Sequence, residues 1–258
     1  MSVQNKKTDN SENDRIILGM VMLQNEYSFN LDSFLEDYNS NYGDSMGKPE
    51  GDSFSATFSV GGELIAMGHM PVPVPAQDLE RTAKYAYNWP TAVEETKAHK
   101  SHLIVSMLPG SQEPLVRFKI FTQALCSLLR TTDSIGIYMG EQSLLIPRED
   151  YLQEAAHMSD DYLPLNLWIY FGLRSGNSRN SGYTYGLKGL NKEEMEVVNS
   201  SKSLEDIRAF LFNIAHYVLE YDVTFQDGET VGLSEEEVIA ITYSGGKLVE
   251  GSTFKLAY

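Results

Sequence analysis

The sequence predicts an α+β protein of two packed lobes, each ferredoxin-like or of a related plan, with mainly antiparallel sheets. Short runs that alternate apolar and polar side chains, or are rich in β-branched residues, recur between turn signals and read as strands. Longer runs repeat apolar residues at intervals of three and four and read as helices. Over residues 16–108 these come as strand, helix, strand, strand, helix, strand, which is the βαββαβ order of the ferredoxin-like plan. A chain of 258 residues is long enough for two such lobes, expected at 15–110 and 111–258 after a polar, disordered tail at 1–14.

The first strand, Ile16–Leu23, is an apolar run with β-branched residues. Asn30 is placed to cap a short helix through Tyr38, with Leu31, Phe34, Leu35 and Tyr38 on one face. Asn39–Gly51, rich in Asn, Ser, Gly and Asp, reads as a loop. Phe54–Val60 alternates, Gly61-Gly62 turns the chain, and Leu64–Met70 completes a hairpin. Pro71-Val-Pro-Val-Pro75 excludes a helix or a central strand. Helical stretches follow at Asp78–Asn88 and Thr91–Lys100, separated by Pro90, with Thr91 as the cap of the second. His102–Leu108 is a short apolar strand ended by Pro109-Gly110.

In the second half, Pro114–Arg130 carries the strongest helical signal, with Phe118, Phe121, Leu125 and Leu128 on one face. Ile135–Met139 reads as a strand and Pro147–Met158 as a helix with Pro147 near its first turn. Strands are expected at Leu167–Leu173 and Tyr183–Leu187, around a Gly/Ser/Asn-rich loop at 175–182, and at Met195–Val198. Ser203–Glu220 reads as a helix capped by Ser203, with Asp206 three residues on and a core stripe of Leu204, Ile207, Leu211, Ile214 and Val218. Asp227-Gly228 turns the chain between strands at Val223–Phe225 and Thr230–Leu233. Val238–Thr242 and Phe254–Tyr258 are strands around the Gly245-Gly246 turn.

Twenty Lys and Arg against 36 Asp and Glu leave a net charge of −16. Affinity for phosphates comes mainly from basic side chains, so nucleic acid and anionic membranes are not expected partners. No apolar stretch approaches the ~18 residues of a membrane span. The N-terminal stretch lacks the apolar segment of a signal peptide. The one cysteine, Cys126, fits a reducing compartment, so a cytoplasmic protein is expected. Residues 191–258 alone hold 13 acids and 5 bases, an asymmetry that fits either the steering of a basic protein partner or solubility alone.

Glu95, His99 and His102 are spaced so that three ligands could converge on one helical face. Lys97 and Lys100 are interleaved and oppose a cation, and a helix C-terminus draws basic residues by its dipole, so neither metal nor cofactor is expected. His69 and His157 stand alone, and His216 lies at the rim of a helical stripe. Cys126, between Leu125 and Leu128, reads as a small core residue. No Gly-x-Ser-x-Gly elbow, Walker loop or GxGxxG occurs, and the glycines at 182, 186 and 189 lack a strand–loop–helix context. Asp222, Asp227, Glu229 and Glu235–Glu237 do not match a calcium loop and read as solvated surface. Trp89, Trp168, Tyr170, Phe171, Tyr183 and Tyr185 are dense along predicted strands and one helix break. Aromatic strands build cores, but Tyr-x-Tyr beside a Gly/Ser/Asn/Arg loop also builds binding surfaces.

Several segments, taken in order, resemble one family: Tyr87-Asn-Trp-Pro90, Ala98–Val105, Trp168–Leu173, Ser181–Leu187 and Asp227–Gly232. Together they are similar to the bacterial family known as domain of unknown function 4261, along Ile16–Tyr258, with the named domain at 178–256. The resemblance implies a soluble bacterial cytoplasmic protein and carries over no catalytic residue. Two readings follow. The first is a non-catalytic interaction or accessory, immunity-like protein that binds through Trp89, His99, His102, Tyr183 and Tyr185; its mark is an exposed aromatic patch bordered by acids, without a deep pocket. The second is an enzyme or small-ligand binder whose cleft between the lobes brings His99, His102, Tyr183 and Tyr185 within hydrogen-bond reach.

Overall fold

The computed structural model describes residues 15–26, 29–43, 46–52, 54–232 and 238–258; the tail at 1–14, Leu233 and the acidic run Glu235–Glu237 lie outside them. In chain order, β1 (Ile17–Leu23) leads to α1 (Leu31–Tyr42), then to the short β2 (Glu50–Gly51) and the hairpin β3 (Ser55–Val60) and β4 (Glu63–Met70). The proline-rich segment passes into α2 (Ala76–Ala83) and α3 (Ala92–Glu95), and the chain returns as β5 (Ser101–Met107). The long helix α4 (Pro114–Thr131), the hairpin β6 (Ser134–Met139) and β7 (Leu144–Pro147), and α5 (Arg148–Ala156) complete the first layer set.

These seven strands form one sheet in the order β2-β3-β4-β5-β1-β6-β7, with every neighbouring pair antiparallel. The α+β class and the antiparallel sheets are as the sequence predicts. The strand order departs from the ferredoxin-like plan, in which the outer strands of a split βαβ lie parallel around an inserted neighbour. Here β5 enters between β4 and β1 because the strap after β4 brings the chain back antiparallel to both. Met70 pairs with His102, Met22 also pairs with His102, and Lys100 N–H donates to the Leu23 carbonyl at 2.9 Å. The sheet continues through β6 and β7, so it takes strands from both sides of residue 110.

Strand alternation gives this sheet two apolar faces. Val21 and Leu23 of β1, with Phe58, Ile65, Val105 and Ile137, pack against α1, α4 and α5. Gly19 lets α4 approach closely, since a Cβ there would lie 3.3 Å from the Phe121 ring. The opposite face, with Met22, Tyr138 and Leu145, is covered by Val74, Leu79, Ala83, Trp89 and Ala92. Helix α1 starts as predicted, with the Asn30 side chain accepting from Ser33 N–H at 2.9 Å. It runs four residues past the expected Tyr38 because Arg130 of α4 clamps Asp37 with three contacts of 2.6–3.0 Å and reaches the Tyr42 hydroxyl at 3.3 Å. Thr91 does not cap α3; its hydroxyl is taken by Glu95.

A second sheet has the order β11-β12-β13-β10-β9-β8, from β8 (Tyr170–Ser175), β9 (Asn180–Tyr185), β10 (Met195–Ser200), β11 (Thr230–Gly232), β12 (Val238–Gly245) and β13 (Ser252–Leu256). Among the described residues only β10 and β13 pair in parallel. The expected strand at Val223–Phe225 has no ladder partner, and the first residues of the one expected at Leu167 form a single 3₁₀ turn before β8. Helix α6 (Leu204–Glu220) lies on one face of this sheet and starts with a full capping box between Ser203 and Asp206. Ile207, Leu211, Ile214 and Val218 form its buried stripe. The two sheets are joined by apolar packing: Trp168 rests on Phe118 of α4 at 5.8 Å, and its indole N–H donates to the Thr122 hydroxyl at 2.8 Å. One apolar cluster runs through both.

Candidate functional site

The face of the second sheet away from α6 carries the tyrosines. In the β8–β9 ladder Tyr170 lies opposite Tyr185, and Gly172 opposite Tyr183. Their in-between neighbours point the other way: Phe171 meets Phe212 of α6 at 5.7 Å, and Gly182 is closed in by Ile207. Gly172 is what seats the Tyr183 ring, because a Cβ at 172 would lie 2.1 Å from the Tyr183 Cζ. From the first sheet's side, the turn after α2 brings Tyr85 and Tyr87 to the same place. Tyr87 meets Tyr170 at 6.3 Å, and Tyr170 meets Tyr183 edge-on at 6.1 Å, so three rings form a continuous ladder across the lobe boundary. Arg208 lies 5.9 Å over Tyr87 and donates to its hydroxyl at 3.2 Å, and Arg174 lies 5.9 Å over Tyr183. Tyr85, Tyr87 and Tyr185 remain 62%, 45% and 38% exposed.

The ladder forms the floor of a groove. One end is a cleft of about 320 Å³ between Tyr85, Tyr87 and Tyr170 on one side and Asp150, Glu154 and His157 on the other. The other end is a shallower hollow of about 660 Å³ that takes in Tyr183, Tyr185, Arg174 and Glu250. The two share Tyr85, Ser143 and Tyr170. A third hollow, of about 500 Å³, joins the second through Tyr185, Lys188 and Glu194. Gln142, 4% exposed, lines it with its carboxamide oxygen buried and without a hydrogen-bond partner among the described residues.

Two buried carboxylates hold the groove wall. Glu194 accepts from the Thr184 hydroxyl at 2.8 Å and from the Gly186 and Lys188 N–H groups at 2.8 and 3.3 Å. Burial still outweighs these bonds and holds its carboxyl above the usual range. Glu196 accepts from the N–H groups of Lys247, Leu248 and Val249 at 2.8–3.0 Å, which fixes the loop that presents Glu250. There burial pushes the carboxyl up, but the three N–H groups and Lys255 together bring it below the usual range. The acid excess of residues 191–258 thus includes internal scaffolding, because a row of backbone N–H groups in a tight turn recruits a carboxylate. Burial, and then the neighbouring phenols, push Tyr170 well up; burial also raises Tyr183 against the pull of Arg174. Both phenols are therefore neutral at physiological pH, able to stack and donate but not to act as bases.

Of the five residues expected to bind, only Tyr183 and Tyr185 lie in the groove. Trp89 is a core residue on the opposite face of the first sheet; its ring lies against Gly136 and its N–H donates to Glu95 at 2.9 Å. His99 and His102 are buried under the proline-rich strap. His99 Nε2 accepts from Val74 N–H at 2.8 Å while its Nδ1–H meets the Thr96 carbonyl, and His102 Nδ1–H donates to the Val72 carbonyl at 2.8 Å. They do not converge with Tyr183 and Tyr185, so the cleft imagined from those four side chains does not assemble. Alternation along β5 explains this, since it aims His102 at the layer of Met22 and Val74 rather than at the second sheet. Among the described residues no group of three or more His, Cys, Asp and Glu is placed to hold a metal, and Glu95 is occupied by Trp89 and Thr91. Cys126 is buried, and burial foremost pushes its thiol up to about 11. His216 accepts from Leu163 N–H at 3.2 Å and pairs with Glu220 at 3.2 Å.

The groove residues that sequence reasoning missed are Tyr85, Tyr87, Gln142, Asp150, Glu154 and His157. One signal was available: a glycine inside the aromatic strand Tyr170-Phe-Gly-Leu173 marks a close approach, which is the Tyr183 ring. Fold and site define an α+β protein with an aromatic groove, acidic at one end, where two mainly antiparallel sheets meet. Within it, residues 183–257 match the model of a family described as Domain of unknown function (DUF4261), so the resemblance read from the sequence holds for this stretch. The match begins inside β9, and the sheet that contains it also needs β8. No curated protein and no solved structure matches the chain. Among the described residues no helix is long and apolar enough to cross a membrane.

Proposed function

We propose that this is a non-catalytic interaction protein, an accessory or immunity-like partner, and that the tyrosine groove is its binding face. The observation that carries the reading is the ladder Tyr87–Tyr170–Tyr183, in which Tyr170 and Tyr183 are half-buried and Tyr87 is exposed, flanked by the exposed Tyr85 and Tyr185. Tyrosine supplies large, rigid contact area with a polar tip, which suits recognition of another protein. Asp150 and Glu154 at one end add negative charge in a chain of net −16, which favours a basic partner there.

Site-specific photo-crosslinking tests this. A photoreactive residue replacing Tyr185 in the groove, expressed in the protein's own cells, should give a discrete protein adduct. The same residue replacing Tyr221, 64% exposed at the end of α6, should not. Equal crosslinking from both positions, or none from Tyr185, would remove the groove as the binding face. Native mass spectrometry of the same preparation separates a protein partner from a bound small molecule, and the second outcome would favour the ligand-binding alternative.

A further inference from the structure

We infer that the groove's occupant is an extended, proline-containing segment of a partner protein that carries a basic residue at one or both ends. This rests on the proposed binding role of the groove and adds to it the partner's chemistry. Three observations carry it. The floor is aromatic and long rather than deep: rings at 6.1–6.3 Å steps run from the lobe boundary onto β9. Aromatic-lined grooves take polyproline-type segments, whose rings and aliphatic side chains lie across the tyrosine faces and whose backbone is already extended before binding.

One end, at Asp150 and Glu154, is anionic, while at the other Arg174 and Lys188 stand beside Glu250. Asp150 makes no ion pair among the described residues, Glu154 is engaged only by the Tyr162 hydroxyl and the Asn166 amide, and Glu250 has no ion-pair partner among the described residues. An arginine or lysine of the partner would meet these carboxylates, while Arg174 stays stacked on Tyr183. The third observation is Gln142, whose buried carboxamide oxygen has no partner among the described residues and which lines the adjoining hollow that shares Tyr185 with the groove. An extended segment leaves its peptide groups free, and a peptide group supplies both a donor and an acceptor to a carboxamide. A buried polar group without a partner is costly, so a ligand that satisfies it gains affinity.

The test is fluorescence anisotropy of the full chain with three labelled synthetic peptides of equal length. One has a proline–valine interior with arginine ends, one the same interior with glutamate ends, and one a glycine–serine interior with arginine ends. The first should bind, and the other two at least about tenfold more weakly, a difference of about 1.4 kcal/mol. Tyr85→Ala and Tyr185→Ala, both at exposed positions, should each weaken the first peptide while the thermal unfolding midpoint stays put. Gln142→Leu should weaken it without lowering the midpoint. Failure of the first peptide to bind, or equal binding of all three, overturns the inference. So does binding that is indifferent to both tyrosine variants. If the crosslink from position 185 captures a partner through an acidic or proline-free segment, the binding face stands and this inference falls. If neither crosslink nor peptide binding occurs, both fall.

Discussion

The buried ion pair between Glu63 and Arg117 offers the sharpest test of the physical account of the first lobe. Glu63 opens β4 on its core face and is fully buried, and Arg117 sits in the first turns of α4, 3% exposed. Arg117 Nε donates to Glu63 at 2.9 Å, Nη1 to the Arg15 carbonyl at 3.0 Å and Nη2 to the Leu108 carbonyl at 2.6 Å. The second Glu63 oxygen accepts from the Ser111 and Gln112 N–H groups at 3.0 and 2.9 Å. The pair therefore ties the β3–β4 hairpin, the β5–α4 turn and the start of β1 together. Arg117→Leu would leave a buried carboxylate with two N–H bonds and no countercharge, which costs about 3–5 kcal/mol. For a chain of this size each kcal/mol moves the melting midpoint by about 2–4 °C, so a drop of about 6–20 °C is expected. Glu63→Gln should cost a similar amount by stranding the guanidinium. The double variant should cost much less than the sum, because each single change already forfeits the pairing. Urea unfolding, followed by the fluorescence of Trp89 and Trp168 and by circular dichroism, gives the three free energies. Strictly additive losses, or a single-variant loss under about 1 kcal/mol as for a surface pair, would refute the reasoning.

The three buried histidines predict a pH dependence. Burial lowers His69, His99 and His102, and His102 is lowered further by the other two. Between those lowered values and about 6.5 the unfolded chain binds more protons, so this stability is complete above about pH 6.5 and is lost as pH falls through the folded values. A melting midpoint that stays flat from about pH 7.5 to 5 would contradict it; His69→Phe, which removes two unpaired ring nitrogens, should flatten the profile. Cys126 should ignore a disulfide reagent at about pH 8 in the native protein and react fully in guanidinium, since its thiol is buried and pushed up to about 11. Gly172→Ala should lower the midpoint by forcing the Tyr183 ring off β8, and Tyr183→Ala added to it should restore most of the loss. If the pair of changes is no more stable than Gly172→Ala alone, Tyr183 is not seated on that glycine.

Much of the fold was legible because local rules and tertiary packing agreed. Asn30 and Ser203 cap the helices they precede, the stripes of α4 and of α6 beyond the half-buried Leu204 are buried, and the alternation of Phe54–Val60 predicts the inward Ala56, Phe58 and Val60, while Phe54 is exposed. The misses lie where a distant partner decides. The last turn of α1 depends on Arg130, far along the chain, and no pattern within 39–42 announces it. The short β7 before Pro147 exists as a strand through its ladder with β6. The strand order of the first sheet depends on where the proline-rich strap delivers β5, and a period of two does not encode that.

The same limit governs the groove. Alternation shows that Tyr183 and Tyr185 share a face, but the face that meets solvent is set by which side α6 covers, and that follows from Gly182 admitting Ile207. The turn that carries Tyr85 and Tyr87 reaches the ladder only because Trp89, two residues beyond, is anchored in the opposite apolar layer by its contact with Gly136 and its bond to Glu95. Trp89 is thus a positioning residue for the groove rather than part of it. Composition could show an excess of acid, but not that Glu63, Glu194 and Glu196 are internal braces while Asp150 and Glu250 face the groove. A carboxylate becomes a brace where a turn offers it unpaired N–H groups, and such turns exist only once the sheets are assembled.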